Sequence, residues 1–310
     1  MTYPAEKFLN PVAFVASPDE LVREWPLEES LAYTRWLATH HYENFHVVSF
    51  LLPKRLHQDF YNVYSFCRWA DDLGDEIGDT AESLRLLAWW RGELHKMYAG
   101  HASHPVFVAL MSTSGHYKLP QSLFDDLITA FEQDQTVTRY RTFDELFGYC
   151  KNSANPVGRL VLGLCGYSDP ERQSLSDATC TALQLANFWQ DVTVDLKKDR
   201  VYLPLELLDH RGYSVQELFA LQFDERFRAA MKEAVEVARE LFVKGLPLAG
   251  MVDKRLAIDL ELFSRGGLKV LDKIERQDYN VLRARPAVTK LERVKLLLGA
   301  IGRRAFAPAA

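Results

Sequence analysis

The sequence predicts an all-α fold on three observations. Apolar residues recur at helical spacing over most of the chain. Turn formers are sparse, 16 Gly and 13 Pro in 310 residues, too few for the tight turns of a many-stranded sheet. No stretch demands a strand. With 48% apolar residues the chain can bury a large core. It has no internal repeat or low-complexity segment, so it reads as a single domain over 1–310, with an N-terminal extension (1–30) and a C-terminal helix and tail (286–310).

Taken in order, the apolar spacing from Pro26 to about Ala99 fits two or three helices, interrupted at Leu52-Pro53 and around Gly74 to Thr80. Residues 100–120, rich in Gly, His, Ser and Pro, read as a short helix between loops. Helices are predicted over 122–133, 143–165 and 174–195, after which KKDRVYLP breaks the pattern at Pro204. Long helical patterns return over 215–243, 253–277 and 288–304, separated by Gly245, Pro247 and Pro286.

Composition excludes several functions. The net charge is -5, from 37 basic and 42 acidic side chains, and without a Lys/Arg-dense block nucleic acid is not an expected partner. Cys67, Cys150, Cys165 and Cys180 form no C-x-x-C pair, which speaks against a zinc site or a disulfide framework. The start, MTYPAEKFLN, carries no export signal, so a cytoplasmic location is expected. No stretch approaches the roughly 18 apolar residues of a spanning helix. The tail from Val294 to Phe306 reads first as a docking helix, with contact at the inner membrane face as the alternative. His40, His41, His46 and His57 have no metal-binding spacing, and Lys54-Arg55 reads as a solvated turn.

Two acidic stripes carry the chemistry. In YNVYSFCRWADDLGDE (61–76), Asp71 and Asp75 lie one helical turn apart on a face shared with Tyr64 and Cys67. In ALQLANFWQDVTVD (182–195), Gln184, Asn187, Asp191 and Asp195 step along a helix that is otherwise apolar. Such a helix should be buried, so the stripe must face something polar, and a cavity lining is the simplest answer. Acids one turn apart repel by a few tenths of a kcal/mol even when exposed. A cation must offset this. Mg2+ binds through one or two carboxylates plus substrate phosphates, so the stripes suggest two or three Mg2+ holding a diphosphate. The plain alternative is two solvated helix faces with salt-bridge partners.

With these residues in view, the sequence resembles the squalene/phytoene synthase family of head-to-head isoprenoid synthases over roughly residues 40–285. The first family motif matches Arg68-x-x-Asp71-Asp72-x-x-Asp75. The second matches Gln184-x-x-Asn187-x-x-x-Asp191-x-x-x-Asp195, followed by R-x-Y-L-P at Arg200, Tyr202, Leu203 and Pro204. Asn44 and Phe45 match the pair preceding the family's LLP turn, and Tyr149 matches a Tyr that reaches the diphosphate. The resemblance implies an isoprenoid synthase fold around a central cavity. Asp71, Asp75, Asn187, Asp191 and Asp195 would bind Mg2+, and Arg68 and Tyr149 would join them in catalysis. Asn44, Phe45, Asp72, Ser153, Asn155, Gln184, Gln190, Arg200 and Tyr202 would contact the prenyl diphosphate substrate.

The departures from the family pattern narrow the reading. Condensing members read N-x-x-R-D where this chain has Asn187-Phe188-Trp189-Gln190-Asp191, so a cation is missing at Gln190. Ser153-Ala154-Asn155-Pro156-Val157-Gly158 replaces a V-A-G-T-V-G run, and Ser264-Arg265-Gly266-Gly267 replaces a segment that usually carries a Tyr. Together these resemble the hydroxysqualene synthase branch of bacterial hopanoid pathways. That branch ionises presqualene diphosphate, rearranges the cation and captures water. Ser153 and Asn155 are the candidates for positioning that water, with helix capping as the alternative. Phe45, Phe66, Phe188 and Trp189 are candidates for cation–π contact, core packing being the alternative for each. No Gly-rich dinucleotide fingerprint is present, so NADPH is not expected. Other squalene-pathway enzymes are candidate partners. The competing functions are a condensing synthase acting on farnesyl diphosphate and a non-catalytic helical scaffold.

Overall fold

The computed structural model describes residues 8–40 and 53–305, with residues 290, 293, 298 and 301–305 described by backbone alone. The chain divides into two compact units, residues 1–136 with 159–168 and residues 137–158 with 169–310.

The first unit holds α1 (Pro11–Val15), α2 (Pro18–Val22), α3 (Leu27–His40), α4 (His57–Asp75), α5 (Thr80–Tyr98), α6 (Pro105–Tyr117) and α7 (Gln121–Asp134). Asp79 starts α5 by accepting from the Glu82 amide at 2.8 Å, a polar N-cap. The core is aromatic. Trp69 and Trp90 stack with centroids 4.9 Å apart, and Phe66 lies fully buried against Phe107 and Phe124. Phe66 is therefore a core residue, the packing role that the sequence reading also gave for it. The His104 ring packs 4.4 Å from Trp69 and 5.0 Å from Trp90, and burial holds its pKa well below the usual imidazole range.

The second unit holds α8 (Phe143–Ser153), α10 (Pro170–Asp195), α11 (Leu205–Asp209), α12 (Val215–Phe219), α13 (Glu225–Gly245), α14 (Lys254–Arg276) and α15 (Lys290–Ala305). α9 (Asn155–Leu164) begins in this unit and ends in the first. α10 packs along α13 and α14. Gly267 makes the approach of α14 possible, because a Cβ there would collide with the Phe242 ring. Trp189 is fully buried and donates from Nε1 to the Ala234 carbonyl at 2.9 Å. Like Phe66, it belongs to the core.

Two of the expected helices are split. The 143–165 pattern breaks at Ala154 because Pro156 cannot donate a backbone hydrogen bond and its ring disfavours helix continuation. The 215–243 pattern breaks at 220–224, where Leu221 takes a φ of 53° and Asp224 caps the new helix by accepting from the Arg226 and Phe227 amides. Among the described residues there is no named strand, and the isolated bridge is Arg139 with Val201. No helix among them is long and apolar enough to cross a membrane.

Candidate active site

In the first unit, α4 carries Arg68, Asp71, Asp72 and Asp75 toward its C-terminal end, where Asp75 is the last helical residue. Arg68 ion-pairs with Asp71 at 2.9 Å and with Asp72. Arg68 and Asp72 are buried at 7% and 5% exposure, whereas Asp71 is half-buried and Asp75 exposed. Arg68, Asp72 and Glu76 also line a cavity of about 440 Å³, together with Asn10, Trp36 and His40. Asn44 and Phe45 lie outside the described residues.

In the second unit, α10 presents Gln184, Asn187, Asp191 and Asp195 on successive turns, half-buried or exposed between the buried residues Leu185, Ala186, Phe188, Trp189 and Val192. Beside this stripe the Tyr202 ring stacks on Phe188 at 3.7 Å. Tyr149 lies 6.2 Å from Phe188 and 6.1 Å from Tyr202. Asp195, Arg200, Tyr202 and Phe188 line one small gap, and the Arg200 amide donates to the Asp195 carbonyl at 3.0 Å. Burial, and then the neighbouring Asp191 carboxylate, push the Asp195 carboxyl up to about 7. Ser153 Oγ is buried with no hydrogen-bond partner among the described residues. Asn155 Oδ1 accepts from Thr181 Oγ at 2.9 Å.

Both stripes end their helices, and neither helix has a basic residue in its last turn. A helix C-terminus carries partial negative charge, so carboxylates there are disfavoured by about 0.3–1 kcal/mol each. Among the described residues no group of three or more His, Cys, Asp or Glu side chains could by itself hold a metal ion. A donor set of few carboxylates, an amide and open coordination positions fits Mg2+, which keeps waters and takes substrate oxygens.

The sequence reading missed Arg285. Its guanidinium lies side-on to Asp191, Nε to Oδ1 and Nη2 to Oδ2, the latter at 3.1 Å. The adjacent Gln190 is buried, at 8% exposure, and its amide donates to the Pro286 carbonyl. The cation that Gln190 lacks thus arrives from elsewhere in the chain. The unbalanced acids on α10 were the signal that could have prompted the search for it. A second unexpected residue is Asp259 on α14, 1% exposed, with neither carboxylate oxygen hydrogen-bonded among the described residues.

The helical architecture is that of the isoprenoid synthases, a class of prenyltransferase-like enzymes. The squalene/phytoene synthase family profile matches residues 38–292, and the chain belongs to that family. It is 30% identical over 284 residues to a phytoene synthase of Arthrospira platensis, a match spanning 87% of this chain and 91% of the relative. It is 32% identical over 243 residues to the hydroxysqualene synthase of Rhodopseudomonas palustris, spanning 77% and 82%. The crystal structure of squalene synthase HpnC from Alicyclobacillus acidocaldarius superposes with a TM-score of 0.79 at 42% identity, covering 86% of this chain and 99% of that one.

Proposed function

We propose that the protein is a Mg2+-dependent hydroxysqualene synthase of squalene and hopanoid biosynthesis, acting on presqualene diphosphate. The observation that carries the reading is that Asp75 and Asp195 each close a helix with no basic residue in its last turn, an arrangement that a bound cation would offset. Asp71, Asp75, Asn187, Asp191 and Asp195 would hold the metal. When bound, Mg2+ would offset the charge that develops on the departing diphosphate.

Arg68, Tyr149, Arg200 and Tyr202 would bind the diphosphate oxygens, with Asp72 orienting Arg68 and Gln184 adding an amide. Donors preorganised toward developing charge lower the barrier because they need no rearrangement during reaction. The C–O bond breaks with its electron pair leaving on the diphosphate. Phe188 and the tyrosines beside it shield the resulting cation from bulk water. One water then adds to the rearranged cation and its proton passes to the released diphosphate. The buried Ser153 hydroxyl supports a role in holding that water, and Asn155 acts beside it.

The test is product analysis by mass spectrometry after incubating the purified protein and Mg2+ with presqualene diphosphate, and separately with farnesyl diphosphate. Hydroxysqualene from the first and no C30 product from the second are expected. The similarity to a phytoene synthase over 87% of this chain favours a second reading, a condensing synthase. Turnover of farnesyl diphosphate to a C30 product would establish that reading instead.

Transient contact with an anionic membrane surface belongs to the same proposal. α15 exposes Leu291 and Val294, at 65% and 51%, near a cavity lined by the cations Arg239, Arg265, Lys269 and Lys295 and the acids Asp272 and Glu292. Co-flotation with phosphatidylglycerol vesicles and loss of it in L291S/V294S is the expected result. Equal flotation of the variant would remove this contact from the proposal.

A further inference from the structure

The segment after α14 returns to the second acidic stripe and is braced to stay there. Asp278 and Tyr279 turn the chain with φ of 58° and 60°. The Gln277 amide donates to the carbonyls of Asn280 and Ala284, each at 3.1 Å. Asn280 Oδ1 accepts from the Arg283 amide at 3.1 Å, and Val281 and Leu282 are buried. This strap meets α10 through two adjacent contacts, Gln190 to the Pro286 carbonyl and Arg285 to Asp191. The first fixes the backbone. The second is a side-chain contact, free to exchange without moving the strap.

A side-on guanidinium engages both carboxylate oxygens, so a metal ion that binds Asp191 competes with it for them. The Arg285 and Asp191 side chains are 48% and 26% exposed, and an ion pair in such a setting contributes only about 0–1 kcal/mol. Displacement is therefore feasible. A divalent cation arriving alone would replace one cation by another and leave the guanidinium without its carboxylate. A cation arriving with a diphosphate brings oxygens that match the guanidinium fork.

We propose that Arg285 is a positioning residue that keeps Asp191 charge-balanced in reserve, so that metal enters the second stripe together with a diphosphate rather than alone. Gln190 anchors the strap that presents Arg285. This rests on the metal-ligand role of Asp191 proposed above, and it gives the Gln190 departure a purpose: the cation moves from the helix, where it would be permanent, to a strap side chain, where it can exchange partners.

The experiment is titration of the full-length protein with Mn2+, read by the electron paramagnetic resonance of free Mn2+, with and without inorganic pyrophosphate, after subtracting the Mn2+ that pyrophosphate alone takes up in protein-free titrations. Wild type should bind Mn2+ about tenfold more tightly with pyrophosphate than without. R285Q should tighten binding of Mn2+ alone by up to about fivefold, the equivalent of a surface ion pair, and narrow the pyrophosphate effect by a similar factor. R285K, which keeps the charge but not the side-on fork, should fall between. Q190A should shift in the direction of R285Q and serves as the reading if R285Q fails to fold. Unchanged or weakened binding of Mn2+ alone in R285Q, or in Q190A where that is the folded variant, overturns the reserve role. D191N separates the two claims. Wild-type Mn2+ binding in D191N sinks the metal-ligand reading and the reserve role with it. Loss in D191N with no change in R285Q sinks the reserve role alone.

Discussion

The two acidic stripes carry similar carboxylates and balance them differently. On α4, Arg68 sits three and four residues before Asp71 and Asp72 and is buried with Asp72. That cation is part of the helix itself. On α10 the last turn has no basic residue, and the guanidinium on Asp191 comes from Arg285, 94 residues along the chain. A cation within the helix cannot leave without disturbing the core, whereas one on a strap side chain can. The first stripe's charge balance is structural, and the second's is exchangeable.

The largest effects should fall on turnover. Asp71→Asn and Asp191→Asn are each expected to lower kcat by about 10²–10³, the scale of removing one electrostatic stabiliser, measured with presqualene diphosphate. Full activity in either variant would remove that stripe from the site.

Next is the asymmetry in stability. Arg68→Ala leaves Asp72 buried without this partner and should cost about 3–5 kcal/mol. Arg285→Ala should cost less than about 1 kcal/mol. Equal urea midpoints for the two variants would erase the distinction between a structural and an exchangeable cation.

Asp259 sharpens the contrast further, as an acid for which neither arrangement is seen. Burial, then the nearby Asp253 carboxylate, push its carboxyl up from 3.8 to about 8. Because the raised value favours the neutral acid in the folded chain, its contribution to stability is fully present below about pH 4 and is lost as pH rises through about 8. Asp259→Asn should therefore stabilise the protein by about 1–3 kcal/mol near pH 8 and flatten this slope. Denaturation at pH 5 and pH 8 checks it, and a larger gain at pH 5 would contradict the assignment.

The smallest expected effect on stability is that of Ser153→Ala, within about 0.5 kcal/mol. Its readout is the product, with hydroxysqualene falling as a share of the total. An unchanged product distribution would leave Ser153 with a packing role.

The long helices were legible because their apolar periodicity is local, and the same periodicity put each acidic stripe on one face of α4 and α10. The break at Ala154 was hidden by apolar spacing that continues across it, although Pro156 was in plain view. Phe66 and Trp189 could not be told from cavity-lining aromatics, because a helix with apolar residues around most of its circumference does not reveal which neighbour each ring meets. Arg285 was invisible for another reason. Its contact with Asp191 depends on a strap whose course is set by Gln277, Asn280 and two residues of positive φ, and no spacing rule links positions so far apart.

The imidazole enclosed by Trp69 and Trp90 has a practical consequence. Since His104 is held neutral in the folded chain, unfolding takes up a proton once the solution falls below about pH 6.5, and the stability this group supplies is lost progressively as acidity increases. The indoles packed around it are natural fluorophores, so their emission should register acid-induced loosening of the first unit without any added label.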